Sequence, residues 1–329
     1  METERTLSVL IPTLGRNTEL IDTVRALLSQ TVKPLEILVC DQNHPSLLDV
    51  DAELAALPNV RHLRSRVLGI SNNYNLLLSE ARGEVVLYLD DDVVPETDLI
   101  EKHLATYDDP TVVGVAGRVF QPTGDQELRT IRAVGRFDRV TGTVVANFNH
   151  DRSSDVDFAQ GCNMSFRRNA LLAVGGFDCG FDGNGYFFET DAGLRLQTLG
   201  KILFQPKAAL KHLAASAGGA RIHEKSLHTY HFVRNGLRLH LRHGNRLLWP
   251  WFLMRAFVYG LVKSVKNGDR RIFTRSLQAI LEAIDRILES GIRFDGKLVT
   301  SRDLERERER VIVGAGVEKG IRAHSELGT

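Results

Sequence analysis

The chain has 329 residues, 43% hydrophobic and 25% charged, with a formal net charge of +1. Such a length and balance fit a globular protein of one large domain or two smaller ones and exclude a disordered or collagen-like chain; no nucleic-acid partner is expected. Three cysteines, Cys40, Cys162 and Cys179, form an odd set without metal-site spacing, which points to a reducing compartment without a disulfide framework. The acidic start Met1-Glu2-Thr3-Glu4 is not that of a secretory signal peptide, so a cytoplasmic location is expected.

Strand and helix patterns alternate through the first two-thirds. Leu7 to Ile11 reads as a buried strand stopping at Pro12, and Thr18 to Gln30 as a helix with Leu20, Val24, Leu27 and Leu28 at helical spacing. Glu36 to Cys40 is a second strand ending at Asp41, and Val60 to Leu63 a short third one. A helix over Asn72 to Ala81 leads into the strand Val85 to Leu89. This alternation predicts a mostly parallel, Rossmann-like sheet with helices on both faces. Residues 121–158 read as a loop-rich or β-ribbon excursion. A short helix is expected from Asp191 to Leu199, then strands over Lys201–Phe204 and Ala208–Leu210 leading to His212. Ala214 to Ala220 is small and flexible in composition.

From His223 the pattern is helical, which places a domain boundary near residue 222 and a basic, mostly helical region over 223–329. Residues 1–220 hold 21 Lys and Arg against 29 Asp and Glu, a balance of −8, whereas 221–329 carry 21 against 12, a balance of +9. A basic tail of this kind is either a solvated helical surface or one that approaches an anionic surface, a membrane first among them. Leu247 to Val262 is markedly apolar but shorter than the ~20 residues that span a bilayer. Its two tryptophans, Pro250 and Arg255 suit either a helix lying in a membrane interface or one buried against protein. Arg302 to Arg310 reads as a solvated terminal helix.

The most telling segment is Asp90-Asp91-Asp92, three carboxylates ending an apolar strand. Anions that close repel and shift each other's pKa, and a bound Mg²⁺ or Mn²⁺ relieves the repulsion. The competing reading is a solvated acidic turn ahead of a helix starting near Pro95. Other features fall at strand ends, where open α/β sheets bind ligands: Pro12-Thr13 with Arg16, then Asp41, then His212. Neutral imidazole could complete a metal site with the acids. Glu189-Thr190-Asp191 opens the predicted helix, and carboxylates two apart do not share a helical face. Asp191 is expected to meet free N–H groups of the helix start while Glu189 projects into the cleft as a general base. A plain capping pair is the competing reading. Gln160 to Arg168 and Gly175-Gly176-Phe177-Asp178 mark tight turns that a ligand could approach.

In order and spacing, these pieces resemble the family 2 glycosyltransferases, enzymes of the GT-A fold. The resemblance covers about residues 6–213 and rests on Leu7–Thr13, Glu36–Asp41, Ala81–Asp92, Gly161–Arg168, Gly175–Asp178, Glu189–Asp191 with Leu194-Arg195, and His212. It implies inverting transfer from a UDP- or dTDP-sugar to a saccharide or lipid-linked acceptor, serving cell-surface polysaccharide or glycolipid synthesis. Pro12, Thr13, Arg16, Asp41, Asp90 and Asp91 would bind the donor. Asp90, Asp92 and His212 would hold the Mn²⁺ or Mg²⁺, Glu189 would be the base, and Asp191 would orient it or touch the acceptor. Two departures stand out. Asn73-Tyr74-Asn75 replaces a frequent Ala-Arg-Asn, leaving the arginine's task to Arg64 or Arg66, and the base position is commonly aspartate. A metal-dependent sugar nucleotidyltransferase and a non-catalytic nucleotide-sugar scaffold are the alternatives, and the pattern leaves room for a homo-oligomer.

Overall fold

The structure is a computed structural model and describes residues 5–43, 50–65, 69–122, 133–215, 218–219 and 222–290. In chain order the elements are β1 (Leu7–Thr13), α1 (Asn17–Leu28), β2 (Glu36–Asp41), α2 (Val50–Ala55), β3 (Val60–Arg64), α3 (Ile70–Glu80), β4 (Val85–Leu89), β5 (Val93–Pro95), α4 (Leu99–Thr106) and β6 (Val112–Phe120). There follow β7 (Arg136–Phe137), β8 (Val144–Val145), β9 (Ser154–Val156), β10 (Asn163–Arg167), α5 (Arg168–Ala173), α6 (Phe188–Leu196) and β11 (Lys201–His212). Three helices close the described chain: α7 (Lys225–His243), α8 (Trp249–Asn267) and α9 (Arg270–Ser290). The terminal helix expected at 302–310 lies outside the described residues.

The main sheet has the order β3-β2-β1-β4-β10-β6-β11-β5, with β9 added beside β11. Neighbours among the first four strands run parallel, and β10 enters antiparallel to both β4 and β6. Val9 and Ile11 pack on Leu20, Val24 and Leu27 of α1, while Leu10 faces the opposite side with Tyr74 and Leu77 of α3. Both faces are covered, so these strands read as continuous apolar runs rather than alternating ones. On the α3 side Tyr74 stacks on Tyr88 at 4.6 Å, and Phe177 meets both rings edge-on at 5.2 and 5.3 Å.

Three sequence expectations need correction. β1 does not stop at Pro12, because proline removes only one ladder donor and pairing continues to Thr13 opposite Asp41. No helix begins at Pro95; Val93–Pro95 is a short strand on β11, and the next helix starts at Leu99. The two strands expected between Lys201 and Leu210 are one, carrying an irregularity between Gln205 and Ala209. Within 121–158, the described part is the β7–β8 hairpin and β9.

Asn163, in a segment that looked approachable by ligand, is fully buried in the sheet instead. Its Nδ2 donates to the carbonyls of Arg118 and Ala208 at 2.9 and 3.0 Å, and its Oδ1 lies 2.9 Å from His103 Nε2. His103 in turn meets Ser165 Oγ at 2.8 Å, and burial pushes its imidazole down to about 4, so it stays neutral. Asn163→Ala strands a buried imidazole and two carbonyls. It is expected to cost about 3 kcal/mol in urea unfolding relative to the parent chain.

The helices α7, α8 and α9 form their own small core of Val233, Leu237, Phe252, Ala279, Ile280 and Ala283. Among the described residues no helix is long and apolar enough to cross a membrane. Within 247–262, Phe252 and Gly260 are buried, while Trp251, Met254, Val258, Leu261 and Val262 are exposed.

Candidate active site

A cleft of about 810 Å³ opens at the carboxyl ends of β1, β2 and β4. Pro12, Thr13, Arg16, Gln42, Asp90, Asp91 and His212 line it from the sheet side. Asn184, Tyr186, His223 and His228 line it from the other. The three carboxylates that close β4 diverge to different partners. Asp91 accepts from Thr13 Oγ1 at 2.6 Å and from Arg16 Nη1 at 2.7 Å. Asp92 is fully buried, and its Oδ2 accepts from the Ala215 N–H at 2.8 Å. Asp90 stays partly exposed at the rim.

His212, ending β11, faces this cluster. Its Nδ1–H donates to Gln121 Oε1 at 2.9 Å, which turns Nε2 toward Asp92 Oδ1 at 3.2 Å and Asp90 Oδ2 at 3.6 Å. An imidazole fixed through its far nitrogen is the usual arrangement of a metal ligand. One donor atom each from Asp90, Asp92 and His212 lies within 4.8 Å of the others. Asp92 Oδ1 is buried and has no well-directed hydrogen bond, although Arg16 Nη1 stands 3.0 Å away. Two carboxylates and an imidazole fit Mn²⁺ or Mg²⁺. The electrostatics show negative charge concentrated at this cluster. Burial pushes Asp90 up to about 6, with Asp91 and Asp92 adding to it against His212 and Arg16. Asp92 is held low despite burial by His212 and the Ala215 N–H. Gly219 covers Arg16: a Cβ there would stand 2.9 Å from Nη2, and its φ of +69° disfavours any side chain.

Glu189 sits in the first turn of α6, beside the Gly161 backbone and within electrostatic reach of Asp90. It is half-buried and is not among the residues that line the cleft. Burial pushes its carboxyl up to about 7 against the N–H groups of Glu189 and Gly161. A Cβ on Gly161 would meet Glu189 Oε1 at 3.2 Å and Tyr74 Oη at 3.4 Å, so the glycine lets both approach. Tyr74, the middle residue of Asn73-Tyr74-Asn75, thus stands with Glu189 beside Gly161. Arg64 is exposed at the end of β3, and Arg66 lies outside the described residues.

Asp191 does not cap the helix start. Phe187, left-handed at φ 72°, ends the preceding turn, and the Asp191 N–H already donates to its carbonyl. Its carboxylate points away from Glu189, as spacing of two on a helix requires, and is fully buried. It meets Arg195 at 2.9 Å, Arg242 at 2.6 Å and His243 at 2.8 Å. Arg242 also reaches Asp178 at 2.7 Å, which accepts from Arg238 at 2.8 Å. Asp41, 1% exposed, is held by the Asn43 N–H at 2.7 Å and His62 at 3.2 Å, and its neighbour Gln42 lines the cleft. The lining residues Gln42, Asn184, Tyr186 and His228 come from turns and a later helix and carry no motif by which sequence reading could find them.

A family model described as "Glycosyl transferase family 2" matches residues 8–187. The chain belongs to glycosyltransferase family 2. A glucosyl-dolichyl phosphate glucuronosyltransferase of Haloferax volcanii is 30% identical over 160 residues, 48% of this chain and 50% of that protein. This family 2 chain therefore aligns with about half the length of that relative. Among solved structures it resembles GalNAc-T7 with UDP, GalNAc and Mn²⁺ (TM-score 0.59, 16% identity, 89% of this chain and 59% of that one). It also resembles the Pyrobaculum calidifontis mannosyltransferase PcManGT with GDP-Man and Mn²⁺ (0.52, 15%, 88% and 89%). A third is S. aureus TarS 1-349 with UDP-GlcNAc (0.57, 14%, 85% and 81%). These likenesses establish the GT-A fold with its C-terminal helices.

His243, Arg195 and Arg242 hold Asp191 well below the usual carboxylate range in spite of its burial. Stability from this cluster is therefore present above about pH 4 and lost as acid protonates the folded carboxylate. Arg242→Met leaves two buried carboxylates short of a cation. It is expected to cost about 3–5 kcal/mol at neutral pH, and less as pH falls toward 3, read from urea midpoints across pH.

Proposed function

We propose that this family 2 chain transfers a sugar, with inversion at the anomeric carbon, from a nucleotide-diphosphate sugar to a hydroxyl on a lipid-linked saccharide. The convergence of Asp90, Asp92 and His212 at the rim of a cleft carries the reading. The fold neighbours, solved with UDP, UDP-GlcNAc or GDP-Man, support a nucleotide-sugar donor, and UDP or dTDP is the donor nucleotide we infer. The relative named for glucosyl-dolichyl phosphate supports a lipid-linked acceptor and a role in glycolipid or cell-surface polysaccharide synthesis.

Asp90, Asp92 and His212 hold the divalent cation in this reading, with Thr13 and Arg16 steadying Asp91 beneath them. A cation bound there stabilises negative charge developing on the diphosphate leaving group. Pro12 and Thr13 flank the diphosphate, and the Asp41–Gln42 strand end receives the base edge. Glu189 takes the proton from the acceptor hydroxyl as its oxygen bonds to the anomeric carbon and the carbon–phosphate oxygen bond breaks. A carboxyl at about 7 is matched to that task, because a base poised near the working pH combines availability with proton affinity. Asp191 positions the helix that carries Glu189.

Glu189→Gln is expected to lower kcat by roughly 10³-fold while donor binding, followed by thermal shift, is kept. In the parent enzyme kcat rises with pH through about 7, where Glu189 ionises, then levels off; the variant lacks that limb. Transfer that survives Glu189→Gln would remove this residue as the base. In a thermal-shift screen of nucleoside diphosphates with Mn²⁺, Mg²⁺ or EDTA, one nucleotide should stabilise the protein only with metal. Asp92→Ala should abolish that response. Equal stabilisation in EDTA would count against the metal reading.

A further inference from the structure

Helix α8 carries an apolar face that nothing in the described chain covers. At about 100° per residue, Trp251, Met254, Val258, Leu261, Val262 and Val265 share one arc, and each is between 44% and 74% exposed. The opposite arc, with Phe252, Gly260 and Ser264, is buried against the rest of the fold. A stripe this long on a surface helix marks an interaction site rather than scattered exposure.

The charges beside the stripe distinguish its occupants. The helix contains Arg255, Lys263 and Lys266 and no Asp or Glu. Arg255 and Lys266 border one edge of the apolar arc and have no carboxylate partner among the described residues. Lys263 lies 5.6 Å over the ring of Tyr259 on that same side. The acidic groups near the end of the helix are engaged elsewhere: Asp269 with Arg271, and Glu282 with Tyr230 and Arg234. An isologous protein contact would set these cations against their own copies, which is repulsive. An apolar stripe with long cationic side chains at its margin instead matches the boundary between acyl chains and anionic headgroups.

We propose that α8 docks this protein onto an anionic lipid surface, its apolar arc entering the headgroup boundary and Arg255 and Lys266 pairing with lipid phosphates. This docking stands whether or not the cleft transfers sugar. It also has a route to the cleft: Tyr186, at the cleft wall, contacts Phe232 at 5.3 Å, and Phe232 contacts Tyr259 of α8 at 5.3 Å.

The test is co-sedimentation of the full chain with phosphatidylglycerol-containing vesicles and with pure phosphatidylcholine vesicles, alongside its elution volume without lipid. Binding is expected on the anionic vesicles only. Val258→Asp with Leu261→Asp should abolish it without lowering Tm, since both side chains are exposed. Arg255→Gln with Lys266→Gln, which leaves the apolar arc intact, should weaken it on the order of thirtyfold. Equal binding to both vesicles, or binding indifferent to all four changes, overturns the proposal. So does absence of binding, and a dimer that Val258→Asp with Leu261→Asp converts to monomer would then identify the face as a subunit interface.

Discussion

Three carboxylates at the end of one buried strand are tolerable only where positive charge and N–H donors converge on them, and that requirement organises the site. Arg16 is brought by the loop after β1, His212 by the far end of β11, and the Ala215 N–H by the segment beyond. Each comes from a different part of the chain, so the sheet must close in its observed order before the acids are neutralised. The Leu213 N–H bonded to the Asp92 carbonyl at 2.9 Å fastens the same segment a second time. Even so, Asp90 remains pushed up and Asp92 Oδ1 lacks a well-directed hydrogen bond. The negative charge at the rim is thus not fully offset by the protein's own groups.

A second constraint explains how a helix only nine residues long can present a carboxylate at about 7 beside one held far lower. Glu189 and Asp191 point to opposite sides of α6. One side offers burial and the backbone N–H groups of Glu189 and Gly161. The other offers two guanidinium groups and an imidazole. The environment thus separates two similar groups into a proton acceptor and an anchor.

Local signals made much of this legible. The apolar run ending in Asp90 announced both a strand and a charge problem, and strand ends pointed to Arg16, Asp41 and His212 as neighbours in space. Asp191 was harder, because its partners Arg242 and His243 lie 51 and 52 residues later on a helix whose sequence reads as a solvated basic surface. Asn163 reads as approachable for a related reason: a polar residue two positions after a glycine looks accessible until β6, β11 and α4 are packed around it. α6 begins at Phe188, three residues before the Asp191 start that the sequence predicts, because Phe187 takes a left-handed conformation without the glycine or asparagine that would signal it.

The match to the family model ends at residue 187, whereas Asp178, inside it, is neutralised by Arg238 and Arg242 beyond it. Matched and unmatched portions therefore share a single buried charge balance. Such a chain cannot exchange its C-terminal helices freely with those of a relative. A transplanted segment must bring two guanidinium groups one helical turn apart at the right height, or the recipient's aspartates are left buried without a counter-ion. Changes to α7 are thereby confined to those that keep Arg238 and Arg242 in step with Asp178 and Asp191.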